Sequence, residues 1–285
     1  MILGYQRNEI GRRVRAVGGF EGGIPFAITQ ATSTVTVTCP ASVVYTGSPL
    51  TPCTASYAGA APVPIYPPFR RAQIEDHLRR QAGILRNAQA CLIITGAEIR
   101  PLGALLMGLA EDLRAVVTIA DLYRVEGFSA PMPASSETTA LIQYTSGSTG
   151  DPKGVVLSHA NLLANIRAIG RAVGATSADV FVSWLPLYHD MGLVGFCLTP
   201  LLGQSSNDYL ATTAFARRPG LWLKLMSDNR CTVSFSPTFG YDLAAKRIGS
   251  EAGKLDLSCW RVAGIGGDMV RPDVLGEFAK SLETA

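Results

Sequence analysis

Tyr144-Thr-Ser-Gly-Ser-Thr-Gly-Asp-Pro-Lys-Gly-Val155 stands between two β-rich runs, Ala140–Tyr144 and Gly154–Leu157. Gly147 and Gly150 permit tight backbone turns. The hydroxyls of Thr145, Ser146, Ser148 and Thr149, with the ammonium of Lys153, supply side-chain donors along the same short stretch. Amides of a glycine-bearing loop can point together into a concavity that favours an anion. The residues therefore read as a cradle for a polyphosphate. The spacing is not that of a Walker A loop, because Lys153 stands three residues after Gly150 and Gly154, not a hydroxyl residue, follows it. A Gly-x-Ser-x-Gly nucleophile elbow fails as well, since Ser146 occupies the place of its first glycine. The bland alternative is a solvent-facing Ser/Gly loop. A flexible linker is not expected between two β-rich segments with a lysine at its exit.

Outward from this loop, strand and helix patterns alternate. Upstream are a charged helix over Arg70 to Asn87, with Ile74, Leu78 and Leu85 on one side, and compact strands at Ala90–Thr95 and Ala115–Ile119. Ser129 to Thr138, rich in Ser, Ala and Pro, reads as a linker. Downstream the pattern runs helix Ala160–Val173, strand Val180–Leu185, helix Met191–Leu202 and helix Leu221–Asn229. Strand Thr232–Ser236, helix Phe239–Ile248 and strand Arg261–Ile265 follow. Such alternation predicts an α/β fold with parallel-rich sheets flanked by helices.

A second anchor is Trp184-Leu-Pro-Leu-Tyr-His-Asp-Met-Gly-Leu193, where a strand gives way to the polar group Tyr188, His189, Asp190 and then an apolar helix. Polar groups just past a strand's carboxyl end are well placed for ligands in parallel α/β sheets. On residues alone His189 is either a satisfied structural histidine or a site residue. Ser183, His189 and Asp190 are too close in sequence for a hydrolase triad. The three histidines, at 77, 159 and 189, have no metal-ligand spacing, and Asp190 with Asp179 makes no convincing carboxylate pair.

The loop at Tyr144–Val155 resembles the signature loop of the adenylate-forming superfamily of acyl-CoA synthetases, peptide-synthetase adenylation domains and luciferases. That resemblance implies the N-terminal large-domain portion of their fold and coupling of a carboxylate to ATP, giving an acyl adenylate and pyrophosphate. It assigns Thr145, Ser146, Gly147, Ser148, Thr149, Gly150 and Lys153 to the ATP phosphates. The second anchor then marks the carboxylate end of an acyl pocket, with His189 beside the reacting carboxyl as the catalytic residue. The wording Leu-Pro-Leu-Tyr-His-Asp-Met-Gly-Leu resembles the fatty acyl-AMP ligase branch, as do Arg217-Arg-Pro-Gly-Leu-Trp-Leu and Ser236-Pro-Thr-Phe-Gly-Tyr-Asp-Leu243. Trp184, His189, Asp190, Met191, Phe239, Gly240 and Tyr241 are the implied acyl pocket. The branch usually carries Asn and Ala where this chain has Thr238 and Gly240. Gly264-Ile-Gly-Gly-Asp-Met-Val270 resembles the adenine-contact turn and implies Gly264, Gly266, Gly267 and Asp268 there, Gly267-Asp268 replacing a more usual Ala-Glu.

The resemblance covers residues 57 to 285 as an incomplete AMP-binding domain. It implies ATP with Mg2+, whose protein ligand belongs to a later family segment than Ala285, a fatty acid substrate, and an acyl carrier protein as acceptor. The later family segments also include the catalytic lysine, so this chain is expected to be a fragment with impaired activity. An acyl-CoA ligase fragment, or a non-catalytic nucleotide- or acyl-binding remnant, are the competing readings.

Residues 1–56 differ in character, with no charge between Glu21 and Arg70. Ser33–Thr38 alternates with period two, a strand signal, and Val43-Val44-Tyr45 follows. This extension resembles the end of a bacterial immunoglobulin-like repeat, a likeness that a Cys39–Cys53 disulfide would suit, stabilising by about 3 kcal/mol. A poorly ordered lead-in is the plainer reading. Charged residues make up 16% of the 285 and the net charge is +3, an ordinary balance that does not point to nucleic acid. No apolar run approaches the ~18 residues of a membrane span. The N-terminus carries arginines where a signal peptide has its apolar stretch, so a cytoplasmic location is expected. None of the six cysteines forms a CxxC pair and no metal site is expected; Cys91, Cys197, Cys231 and Cys259 read as core thiols.

Overall fold

Residues 60–68, 74–124, 134–145 and 152–283 are described in full by the computed structural model, apart from the side chain of Ser250, and residues 14–17, 26–29, 36–38 and 54–56 by their backbone. Cys39, Cys53, the run at residues 43–45, and residues 129–133 of the expected linker lie outside them. The chain divides into two compact units, one holding residues 21–162 and the other residues 3–20 with 163–285.

In the first unit, β2 (Phe26–Thr29) pairs antiparallel with both β5 (Ala61–Pro64) and β6 (Ala90–Thr95), and β6 runs parallel to β7 (Ala115–Thr118). β6 is buried at nearly every position, which is why its sequence reads as an apolar run without alternation. Helix α1 (Ile74–Asn87) has Glu75 and Asp76 in its first turn and Arg86 in its last, the polarity a helix dipole favours. Its Ala82, Ile84 and Leu85 join Val63, Ile93 and Leu106 in one core. The sequence reading began this helix at Arg70; residues 69–73 lie outside the described part. Helix α2 (Arg100–Met107), which periodicity did not reveal, packs Gly103 so tightly on β7 that an added Cβ would stand 2.8 Å from Val116 Cγ1. A capping box of Thr118 and Asp121 starts the one-turn α3 (Ile119–Leu122). β3 (Thr36–Thr38) pairs antiparallel with β4 (Thr54–Ser56). β8 (Thr139–Thr145) and β9 (Lys153–Ser158) form an antiparallel hairpin, and α4 (His159–Ala172) follows.

The second unit is built on a five-stranded parallel sheet in the order β1-β11-β10-β12-β13. Its strands are β1 (Val14–Val17), β10 (Val180–Ser183), β11 (Ser206–Leu210), β12 (Val233–Ser236) and β13 (Val262–Ile265). The helices are α5 (Thr199–Leu202), α6 (Thr212–Arg217), α7 (Gly220–Asp228), α8 (Thr238–Ile248) and α9 (Pro272–Ser281). Fully buried Trp222 centres the core, its Nε1 donating to Ser234 Oγ at 2.9 Å and its ring meeting Tyr241, Trp260 and Phe278. Asp179 ties the amino-terminal side of the sheet together. It receives Arg261 Nη2 at 2.8 Å, Arg261 Nε at 3.0 Å, Thr232 Oγ1 at 2.7 Å and Thr176 N at 2.7 Å. Burial alone would raise its pKa, but these donors outweigh it and hold the carboxyl at about 2.

Two sequence expectations change here. The helix expected over Met191–Leu202 exists in extent, yet Met191–Leu198 winds as a π-helix and only Thr199–Leu202 is α. Strand β11 was not foreseen, because Ser206-Asn-Asp-Tyr-Leu210 is too polar to look like a buried strand, although Asn207, Asp208, Tyr209 and Leu210 are all buried. The core-thiol reading holds for Cys91, Cys197 and Cys231, which are buried thiols outside any disulfide, while the Cys259 thiol is half-buried.

Candidate functional site

The first candidate region is the turn of the β8–β9 hairpin. The register Thr145↔Lys153 closes the ladder, so the exposed Thr145 and Lys153 face each other across the mouth of the loop. Ser146, Gly147, Ser148, Thr149 and Gly150 lie outside the described residues. Gly154 sits opposite Tyr144, and a Cβ there would be 2.9 Å from Tyr144 Cζ and 3.2 Å from Ile142 Cγ2. The glycine after the lysine thus serves the close packing of a tyrosine ring on its neighbouring strand. The Tyr144 hydroxyl donates to Asn87 Oδ1 on α1, anchoring the hairpin to the body of the unit. Sequence reading missed Arg80. Its Nη2 reaches the Thr145 carbonyl oxygen at 3.4 Å, which brings a second cation to the loop's entrance. Its position one turn before Ile84 on an otherwise ordinary charged helix gave no signal.

The second candidate region lies past the carboxyl ends of β10, β12 and β13, three adjacent strands of the parallel sheet. From β10 come Trp184 and the turn to His189, closed by His189 N–H donating to the Pro186 carbonyl at 3.1 Å. Trp184 is buried and stacked on Phe215, ring centroids 3.8 Å apart, and meets the edge of Phe239 at 5.7 Å. Half-exposed His189 places Nδ1 2.7 Å from Asp190 Oδ1, and the same oxygen accepts the Met191 amide at 2.6 Å. The Met191 amide also lies 3.2 Å from Nδ1, but it is nearer Asp190 Oδ1, so we assign the Nδ1 proton toward Asp190, which leaves Nε2 as the nitrogen available to another group. The Asp190 hydrogen bond, opposed by burial, raises the His189 pKa above its ordinary value, and the His189 partner lowers that of Asp190. Gly192 is required next, since a Cβ would stand 2.2 Å from the Pro186 carbonyl oxygen.

From β12, Pro237 leads into α8, whose first turn is capped from another strand. Asp268, beyond β13, accepts Thr238 N at 2.8 Å and Phe239 N at 3.4 Å, and Thr238 Oγ1 donates to the Met269 carbonyl at 2.8 Å. Asp268 therefore spends its carboxylate on the start of α8, a negative charge at a helix N-terminus. Gly240 has no room for a side chain, with Ser236 Oγ 2.0 Å and Trp184 Cζ2 2.6 Å from a built Cβ. Phe239 is 51% exposed and offers an open apolar face, whereas Tyr241 is 2% exposed, its hydroxyl donating to the Gly264 carbonyl at 2.7 Å. Tyr241 so acts from the core, behind the turn, and its burial pushes its own pKa up. From β13, Gly264 presses on the Phe235 ring, Gly266 faces open space, and Gly267 turns with φ +82° against Met191 Cε. The structure thus brings the expected acyl-pocket and adenine-turn residues onto neighbouring strand ends, Met191 touching the Gly267 turn and Asp268 joined to α8.

Among the described residues no group of three or more His, Cys, Asp or Glu stands together as a metal site, and no helix is long and apolar enough to cross a membrane.

An open parallel sheet with polar and aromatic residues gathered past three adjacent strand ends defines an α/β ligand-binding unit of the kind that holds substrates in a crevice at those ends. Comparison with known proteins narrows the class: the chain belongs to the AMP-binding enzyme family, which matches residues 50–284. It is 43% identical over 170 residues to the medium-chain fatty acid–acyl-carrier-protein ligase TtuA of Teredinibacter turnerae, covering 59% of this chain and 26% of that one. A solved structure from work on fatty acyl-adenylate ligases of E. coli and L. pneumophila matches with TM-score 0.73 and 43% identity, over 77% of this chain and 40% of that one. The L. pneumophila ligase solved with acyl adenylate and pyrophosphate matches with TM-score 0.66 and 33% identity, over 78% of this chain and 38% of that one. The chain spans well under half the length of these relatives and has the N-terminal portion of the adenylate-forming fold.

Proposed function

We propose that this chain is part of a fatty acid-activating enzyme that forms acyl-AMP from a fatty acid and ATP. A carboxylate oxygen attacks the α-phosphorus, the bond to the bridging oxygen of the β-phosphate breaks, and pyrophosphate leaves with the electron pair. The acyl group then passes to the thiol of an acyl carrier protein, AMP departing. The observation that carries this reading is the gathering of Trp184–Met191, Phe239–Gly240 and Gly264–Asp268 on neighbouring strand ends. An open aromatic face for an acyl chain and a glycine turn for a flat base meet there.

In this reading Lys153 and the hydroxyls from Thr145 to Thr149 hold the phosphates, because a compact cation and rotatable donors neutralise charge that grows on the leaving group. His189, held by Asp190, presents Nε2 to the carboxyl end of the acid. Trp184, Met191 and Phe239 face the chain next to the carboxyl, with Gly240 and Tyr241 shaping the wall from behind. The backbone of Gly264, Gly266 and Gly267 lies along the adenine, and Asp268 orders that turn through α8. Magnesium finds no ligand cluster among the described residues, and no step assigned to them runs through it. Impaired turnover by this chain alone belongs to this proposal. A cytoplasmic setting, where ATP and carrier protein are both available, belongs to the same proposal, as does a boundary near residue 57 between the extension and the AMP-binding part.

Thermal unfolding with a panel of fatty acids tests the binding half, because a ligand that binds only the folded state raises the melting temperature. Medium or long fatty acids are expected to raise it, and ATP to raise it further. No shift with any acid would remove the acyl reading, and transfer to coenzyme A in preference to a carrier protein would replace the acceptor.

A further inference from the structure

The segment that follows His189 and Asp190 is a π-helix, Met191–Leu198. Such windings are rare, persist as single turns, and recur at functional sites. Their wider hydrogen-bonded rings leave backbone groups badly placed for an ordinary α ladder, so they last where other groups take up the misplaced carbonyls. Here the carbonyls are served from outside the helix. The Phe196 carbonyl oxygen accepts the Tyr209 hydroxyl at 2.7 Å and also the Asn207 side-chain amide. The Val194 carbonyl oxygen accepts Thr199 Oγ1 at 2.7 Å and, in the i to i+5 pattern, the Thr199 amide.

Asn207 and Tyr209 are two residues apart on β11, hence on one face of that strand, and each is 3% exposed. Their bonds to the Phe196 carbonyl give these two polar side chains a partner inside the core. The Phe196 ring is gripped as well, edge-on to Phe181 at 5.9 Å and to Phe235 at 5.4 Å. The other end of the same helix carries Met191, whose Cε lies against Gly267, and begins at the amide bound by Asp190. A return to α winding would turn the two ends against each other by up to ~100°, one residue's rotation. Met191 and the His189–Asp190 pair would lose their present aim.

We propose that Asn207 and Tyr209 are positioning residues, which hold the π winding of Met191–Leu198 and thereby set where His189 and Met191 stand. For the acyl-activating role of those two residues the inference rests on the function proposed above; for their placement it rests on geometry alone. The test is Tyr209→Phe, with Asn207→Ser as a second probe should the first fold poorly, each verified by circular dichroism. Two readouts are taken on the full chain. The imidazole nitrogen NMR shifts of His189 report which nitrogen carries the proton, and calorimetry with dodecanoate reports the acyl site. The expected result is altered His189 shifts, with dodecanoate affinity weakened roughly tenfold, the low end of what loss of a supporting partner costs in a positioned site. A folded variant with His189 shifts identical to wild type overturns the proposal, whatever its affinity. Should wild type not bind dodecanoate at all, the acyl reading is what fails, and the His189 shifts still decide the positioning claim.

Discussion

The β8–β9 turn and the strand-end region hold their candidate residues in opposite ways. The turn draws on one unbroken stretch, Thr145 to Lys153, and its two described ends face each other because a local antiparallel register puts them there. The strand-end region draws on residues near 184, 238 and 264, joined by contacts that span long stretches of chain: Asp268 to the amide of Thr238, Tyr241 to the Gly264 carbonyl, Trp184 against Gly240. Phosphate chemistry needs donors and a tight loop, which one segment can supply. An acyl channel ending beside a flat base needs walls from several elements, which only a sheet can collect.

If the strand-end region depends on long-range ties, its most distant one is its most sensitive point. Asp179 receives donors from Arg261, Thr232 and Thr176 at the far end of the same strands. Asp179→Ala takes the charged acceptor from Arg261, Thr232 and Thr176, although the guanidinium keeps the Val173 and Gly174 carbonyls; it is expected to cost roughly 3 kcal/mol in urea unfolding, the upper scale of a hydrogen bond to a charged group. A loss under 1 kcal/mol would show that the sheet does not need this tie. The same carboxyl sets an acid limit. Its folded pKa of about 2 lies below the unfolded value of about 3.9, so its contribution is complete above about pH 4 and is lost as pH falls toward 2. Asp179→Asn should flatten stability across that window.

Next in size is Lys153→Ala, which is expected to weaken ATP or tripolyphosphate binding by about 1.5–3 kcal/mol, the scale of a hydrogen bond to a charged group. Equal affinities by calorimetry would detach the lysine from the phosphates and leave Arg80 as the cation to test. Gly240→Ala comes third. The Trp184 ring, stacked on Phe215, cannot yield the 2.6 Å approach cheaply. Overpacking should therefore cost about 1–3 kcal/mol, and a neutral result would mean that the wall is loose. The smallest effect concerns His189. Its folded pKa is raised, so its stabilising term is full below about pH 6.5, the ordinary value, and fades as pH rises through the higher folded value. NMR titration of Asp190→Asn should show the His189 pKa falling back toward ordinary, and no fall would assign the shift to another group.

The contrast also explains what was legible in the sequence. Strand Ala90–Thr95 was readable to the residue because a strand buried at nearly every position is a short apolar run. The roles of Gly154 and Gly240 were not, since each glycine is fixed by a ring from a different element, Tyr144 in one case and Trp184 in the other. That Asp268 also caps α8, and that Tyr241 lies in the core with its hydroxyl on the Gly264 carbonyl, had no signal in the sequence either. The π winding has no signature in Met-Gly-Leu-Val-Gly-Phe-Cys-Leu, because what selects it stands on β11, a strand whose polar residues hid it.

The central claim is that the ends of β10, β12 and β13 form one site for an acyl adenylate. Backbone NMR of the chain titrated with a non-hydrolysable dodecanoyl-adenylate analogue tests it most directly. Saturable shifts are predicted at Trp184, His189, Phe239 and Gly264 through Asp268 together, with one dissociation constant. Binding that leaves those residues unmoved, or that moves the 184–191 segment without the 264–268 turn, would contradict it.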